Sequence, residues 1–186
     1  MKKETKEFKF EVKEFSDEGR FGGYLATFEN VDEGGDLIER GAFSNSLQEN
    51  RAFPLLWGHG GENPGRVVGT FEGKEDSRGL WIDGEFFLDQ PGGQEAHGIV
   101  KKLYTKGIKV GLSIGYKAVN AVWEKIKEQT IRRIKEIKLF EGSLTLFPMN
   151  QLARIESIKS NEGTDEPPEE YIKALKEIAK TIASGD

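Results

Sequence analysis

KVGLSIGY, residues Lys109 to Tyr116, decides how the chain is read. Val110, Leu112, Ile114 and Tyr116 alternate with Gly111, Ser113 and Gly115. Side chains of a strand point to opposite faces in turn, so one face is apolar and the other carries a hydroxyl between two glycines. With no side chain on either side of it along the strand, Ser113 is open to close approach by a substrate backbone or by another side chain. A small residue filling a tight barrel interior is the other reading of the pattern.

Working outward, short strands dominate. Phe8, Phe10 and Val12 alternate with charged residues as a first strand. RFGGYLATF (20–28) reads as a bent strand. After a glycine-rich loop, a short amphipathic helix is expected around Phe43 to Leu47, capped by Ser44. Strands follow at Ala52 to Trp57, around Val67 to Phe71, and at Leu80 to Phe86. The spacing then changes: Ala96, Ile99, Val100, Leu103 and Tyr104 form one face of a helix over 94–105, closed by Gly107. Residues 119–136 are expected to form a hairpin. Ile137, Leu139, Glu141, Ser143 and Thr145 alternate in a long strand that ends at Pro148. Gln151 to Lys159 suggests a short helix capped by Asn150.

After Ser160 the composition shifts. NEGTDEPPEE is a linker, and Tyr171, Ile172, Leu175, Ile178 and Ile182 form the apolar stripe of a tail helix. The chain therefore divides into a body at 1–160 and an acidic linker plus amphipathic helix at 161–186. The body combines seven or eight strands with two or three helices, a mostly β (α+β) domain. A closed or nearly closed antiparallel barrel of about seven strands with peripheral helices solves the edge problem of so many short strands.

Composition narrows the chemistry. The 186 residues carry a net charge of −5, with no cysteine and two histidines, His59 and His97. Thiol catalysis and thiolate metal sites are excluded, and histidine chemistry must use one of those two. No cofactor is implied. The 161–186 tail holds seven acids against three lysines, so most of the acidity lies there. The body carries no long basic stripe, which disfavours a nucleic-acid module. No apolar run reaches membrane-spanning length.

Five runs occur in an informative order: N-x-D-x-x-G-D-x-I-x-x-G-A-F-x-x-S-L at Asn30 to Leu47, L-L-W-x-H at Leu55 to His59, G-L-x-I-x-G at Gly79 to Gly84, G-L-S-I-G-Y at Gly111 to Tyr116, and E-x-S-L-x-x-x-P-x-N at Glu141 to Asn150. Over residues 20–158 the chain resembles the caudovirus prohead (capsid maturation) serine proteases, which are related in fold to the herpesvirus assembly proteases. The resemblance implies a barrel of about seven strands ringed by helices. It implies a serine endopeptidase that works inside the immature capsid, in the host cytoplasm. There such enzymes remove the scaffold, or the leader of the major capsid protein, and often cut themselves. Carried over residue by residue, the catalytic groups are His59, Ser113 and Glu141. Gly58, Gly60, Gly142 and Met149 depart from common family residues without removing a chemical group. A homo-dimer or higher oligomer would suit an enzyme kept quiet until assembly.

The residues alone agree with that assignment and leave alternatives beside it. A serine hydroxyl needs an adjacent base, histidine suits that role, and a carboxylate on the far ring nitrogen fixes the tautomer. Glu141 is otherwise an outward strand residue paired with a nearby cation. Asp32 and Asp36 are alternative third members, or loop-building residues; their spacing does not match an EF-hand. His97 reads as a helix-surface histidine. Arg132, Arg133, Arg154 and backbone N–H groups are candidate oxyanion donors. Ser46 and Ser143 are expected to be hydrogen-bonded core or cap residues. The rival functions are a non-catalytic assembly protein that keeps the barrel, and a small-ester or amide hydrolase with a closed pocket.

Overall fold

The structure is a computed structural model that describes residues 18–59, 67–126 and 129–158. The chain order is β1 (Arg20–Thr27), β2 (Asp36–Ile38), α1 (Ser44–Glu49), β3 (Phe53–Trp57), β4 (Val67–Glu75), β5 (Gly79–Phe86), α2 (Pro91–Thr105), β6 (Gly111–Ile126), β7 (Gln129–Thr145) and β8 (Arg154–Ile158). The strands run in the order β7-β3-β4-β5-β1-β8-β6, and β6 pairs back onto β7. Seven strands thus close a barrel, and β2 attaches to β7 beside them. Closure leaves few backbone groups unpaired, which is why short strands with modest apolar faces are stable in this arrangement.

The barrel is mixed where a purely antiparallel one was expected. β3 and β2 both run parallel to β7, against residues 142–144 and 132–134. Each lies across a connection long enough to reverse the chain, which a tight hairpin cannot do. The expected 119–136 hairpin is part of the longest ladder, β6 with β7. The first strand around Phe8 to Val12 and the tail helix lie outside the described residues.

Three local expectations change. Gln151 to Lys159 is not a helix: residues 154–158 form β8, which pairs with β1 and β6 and completes the barrel wall. Asn150 caps nothing helical; its Oδ1 accepts the Leu152 N–H at 3.0 Å in a turn. Ser44 does not cap α1 either. Glu75 of β4 does that work from across the fold, accepting the Phe43 N–H at 2.9 Å and the Ser44 hydroxyl at 3.3 Å. Helix α2 starts at Pro91, earlier than its apolar stripe suggests, because proline suits a first turn where no N–H is needed.

Inside the barrel, Phe21, Phe43, Phe71, Leu55, Ile82 and Leu112 are fully buried. Truncating one such ring to alanine costs roughly 3–5 kcal/mol. Ser46 is buried among them, donating to the Ile137 carbonyl and accepting the Leu139 N–H, so it is a satisfied core hydroxyl.

β7 carries the departure that matters most for the site. Gly115 pairs with Glu141 and Tyr116 with Leu139, which leaves Phe140 as an extra, bulged residue. Immediately before the bulge the buried residues are odd-numbered, Ile137 and Leu139. After it Gly142 and Leu144 take the core side, while Ser143 is buried on the opposite face beside Glu141. The single alternation expected for this strand is broken, and Glu141, in phase with two core residues by sequence, is turned to the opposite face.

Candidate active site

β6 and β7 build the floor of the site. Leu112 belongs to the core and Ile114 packs against it, so Ser113 and Gly115 face away from the core. Across the ladder Ser113 stands opposite Ser143, and Gly115 opposite Glu141. Opposed residues of an antiparallel pair share a face with Cβ atoms about 4.5–5.5 Å apart. Four positions on two strands therefore converge on one patch.

The glycines around the serine are explained by neighbouring side chains. The Glu141 side chain lies over Gly115: a methyl group there would overlap Oε1 and sit 2.7 Å from Cδ and Cγ. At Gly111 a methyl would come within 2.6 Å of the Pro148 ring. The open face is space taken by a carboxylate on one side of Ser113 and by a proline on the other.

His59 arrives from the end of β3. The parallel ladder with β7 extends one residue past the strand, where the Gly58 N–H donates to the Leu144 carbonyl at 2.9 Å. Gly58 then takes φ +67° with open space around its α-carbon, a left-handed turn that sends His59 over β6 and β7. His59 Nε2 lies 2.9 Å from Ser113 Oγ, and Nδ1 lies 2.8 Å from Glu141 Oε1. With the proton on Nδ1, the ring donates to the carboxylate and accepts from the serine. The His59 side chain is 53% exposed and Glu141 14%, so the carboxylate is shielded while the imidazole stays open to solvent.

Ser143, expected as a core or cap hydroxyl, is fully buried and donates to Glu141 Oε2 at 2.6 Å. Its Oγ is also 3.4 Å from His59 Nδ1. The signal was available: residues two apart on a strand share a face, so Ser143 had to accompany Glu141.

The other candidates lie elsewhere. Asp32 builds its loop, Oδ1 accepting the Gly34 and Asp36 N–H groups at 2.9 Å each. His97 packs on Phe86, ring centroids 5.6 Å apart. Arg133 is paired with Glu124 and Glu39. Arg154 stands opposite Gly111, with Nε 3.7 Å from Glu156. No group of three or more metal-ligating side chains occurs among the described residues.

Asp36 is held by Arg132, which donates from Nε at 2.8 Å and pairs through Nη2 with the second oxygen, and by the Tyr116 hydroxyl at 2.7 Å. Burial pushes the Asp36 carboxyl up, but the hydrogen bonds from Arg132 and Tyr116 outweigh it and leave the group below its ordinary range. Burial and Asp36 push the Tyr116 phenol up, and Asp36 raises Arg132. This knot ties β2 to β6 and β7. Asp36→Asn is expected to lower the unfolding free energy by roughly 1–3 kcal/mol at neutral pH, read by urea denaturation. Since the folded carboxyl lies below its unfolded value, the wild-type margin is complete above the ordinary carboxylate range. It fades as pH falls through the lowered folded value. A variant that tracks wild type at every pH would contradict the linkage.

Beside Ser113 and His59 opens a pocket of about 240 Å³. Consecutive residues Leu112, Ser113 and Ile114 line it, so it runs along an edge of β6. On that edge, among the described residues, β6 pairs with β8 only at Gly111.

A family model described as Caudovirus prohead serine protease matches residues 6–167. The chain is also similar to the prohead protease of Enterobacteria phage HK97, with 29% identity over 151 residues. That match covers 80% of this chain and 64% of the relative, so the chain spans just under two thirds of the relative's length.

Proposed function

The chain belongs to the caudovirus prohead serine protease family, and on that premise we propose that it is a serine endopeptidase with Ser113 as nucleophile, His59 as general base and Glu141 as orienting acid. The observation that carries this is the bridge made by one imidazole, 2.9 Å from a strand serine and 2.8 Å from a shielded carboxylate. A barrel kept only for structure has no need of that contact.

Ser113 Oγ attacks the scissile carbonyl carbon while His59 Nε2 takes its proton. The tetrahedral intermediate collapses, the C–N bond breaks, and His59 returns the proton to the leaving amine. Water then attacks the ester with His59 as base again, releasing the acid and restoring Ser113. Glu141 holds Nδ1–H and stabilises the imidazolium formed in each half. Of the arginines, Arg132 and Arg133 are hydrogen-bonded to carboxylates, whereas Arg154 lies 3.7 Å from Glu156. Arg154 shares the face of Gly111 and Ser113, and its Nε makes no hydrogen bond among the described residues. That favours it as a source of positive charge for the oxyanion.

The substrate is an extended segment of scaffold or capsid-protein leader, or of the enzyme itself, cut inside the procapsid in the host cytoplasm. Among the described residues the edge of β6 at Ser113 is nearly unpaired, which suits strand addition by such a segment. The 240 Å³ pocket is smaller than the roughly 300–1,000 Å³ usual for whole small-molecule ligands, which disfavours the ester-hydrolase reading.

The test is intact-mass spectrometry of the concentrated protein after fluorophosphonate treatment, alone and with a scaffold partner, followed by cleavage assays on leader peptides. A single adduct on Ser113 and cleavage of an extended peptide are expected. No adduct under either condition rejects the protease reading. Ser143→Ala should slow labelling about tenfold, near 1.4 kcal/mol, because Glu141 loses a buried donor and one restraint on its pose. An unchanged rate would make Ser143 a packing residue.

A further inference from the structure

α2 lies across one end of the barrel. β3 and β7 end there, β4 and β6 begin there, and the helix crosses on its way from β5 to β6. A groove of about 370 Å³ opens between α2 and the barrel rim. Gly92, Ala96 and Ile99, one stripe of the helix, form its first wall, and Trp57, Gly58 and Val68 form the second. Gly58 is the turn residue that delivers His59. Past the groove the helix becomes basic: no acid occurs from residue 96 to 110, and Lys102, Lys106 and Lys109 are exposed. β8 leaves at this same end. The Ile155 N–H donates to the Val110 carbonyl at 3.0 Å, so β8 runs antiparallel past Lys109 and brings Ile158 toward the lysine-bearing end of α2.

We infer that the tail of this same chain occupies the groove: the acidic linker lies along the lysines of α2, and the apolar stripe after it packs between Ile99 and Trp57. Residues 161–170 carry five acids and no base, the complement of the lysine run. Tyr171, Leu175, Ile178 and Ile182 follow at helical spacing, the pattern by which an amphipathic helix enters an apolar groove. The tether is long enough. α2 has 15 residues, a length of about 22 Å, and the ten residues 159–168 extend to at most about 33–36 Å. So tethered, the tail meets the groove at an effective concentration on the order of millimolar, ahead of the tail of a second copy. Glu95, the one charged residue of the lining, then meets tail lysines such as Lys176. The contact lies against Gly58 and so adjoins the turn that carries His59.

The chain has no cysteine, so one introduced thiol reports on one place. Ile99→Cys puts it in the groove, and Val119→Cys puts it on the exposed β6–β7 ribbon as a reference. Alkylation by iodoacetamide is followed by intact mass on the full chain, dilute and in low salt. The groove thiol should react about tenfold more slowly than the reference. Leu175→Asp with Ile178→Asp charges the stripe, and should speed the groove thiol about fivefold or more while leaving the reference unchanged. Lys102→Glu with Lys106→Glu lies outside the groove and should speed it about threefold, as should high salt with the tail unaltered. If the tail variant fails to fold, the lysine variant and the salt series still decide. A groove thiol as reactive as the reference, or one whose protection ignores tail charge and salt, would overturn the docking. Protection that grows with protein concentration would give the groove to the tail of a second copy and overturn the intramolecular contact.

Discussion

Ser113→Ala will abolish the fluorophosphonate adduct and lower peptide cleavage by roughly 10⁴–10⁶-fold. The substitution removes a half-buried hydroxyl whose partner, His59, is itself half-exposed, so no buried group is left stranded. The barrel should melt within about 1 kcal/mol of wild type, which separates lost chemistry from lost folding. His59→Ala keeps the hydroxyl but takes away its proton acceptor, and cleavage should fall by a similar factor. Because the two residues act as a unit, Ser113→Ala with His59→Ala should be little worse than either alone. Cleavage that survives Ser113→Ala, or an adduct that moves to Ser143, would place the nucleophile elsewhere.

Gly115→Ala will cost about 10³–10⁴-fold in Ser113 labelling, and roughly 1–3 kcal/mol of stability as the buried Ser143 hydroxyl loses its carboxylate. The added methyl overlaps Glu141 Oε1. That atom is the far end of a flexible side chain, so the conflict is relieved by rotating the carboxylate away. Rotation breaks the contacts to His59 Nδ1 and Ser143, leaving the imidazole without its orienting partner. Glu141→Gln should bring a comparable loss, since the amide can present its oxygen to Nδ1–H but no longer stabilises the imidazolium by charge. The double variant is the stricter measurement. If Gly115 acts only through Glu141, combining the two adds little beyond the larger single effect. Full additivity, or wild-type labelling in Gly115→Ala, would mean that the pose of Glu141 over Gly115 is unimportant.

Much of the fold was legible because the relevant signals are local. The strand within Lys109 to Tyr116, the helix closed by Gly107 and the β6–β7 hairpin follow from side-chain periods of a few residues. The errors were also local in origin. The apolar spacing of Gln151 to Lys159 fits a helix and a strand about equally, and only the barrel's need for a wall between β1 and β6 decides for β8. The acid that caps α1 comes from β4, some thirty residues away in sequence, where no cap rule looks.

By itself the sequence determined that Ser113 and Gly115 share a face opposite the apolar residues of one strand. It also limited any histidine-dependent chemistry to two residues and placed Ser143 in phase with Glu141. Those conclusions need only the two-residue period of a strand and the chemistry of the side chains. The tertiary structure decided the rest: the bulge at Phe140 that turns Glu141 off the core, the register that sets Gly115 beneath it, and the parallel β3–β7 ladder that delivers His59. The reason is physical. Alternation along a strand is set by backbone geometry within the strand. Its neighbour, its register and its bulges are set by which distant segments close the barrel with their apolar faces buried, and no window of sequence contains both partners.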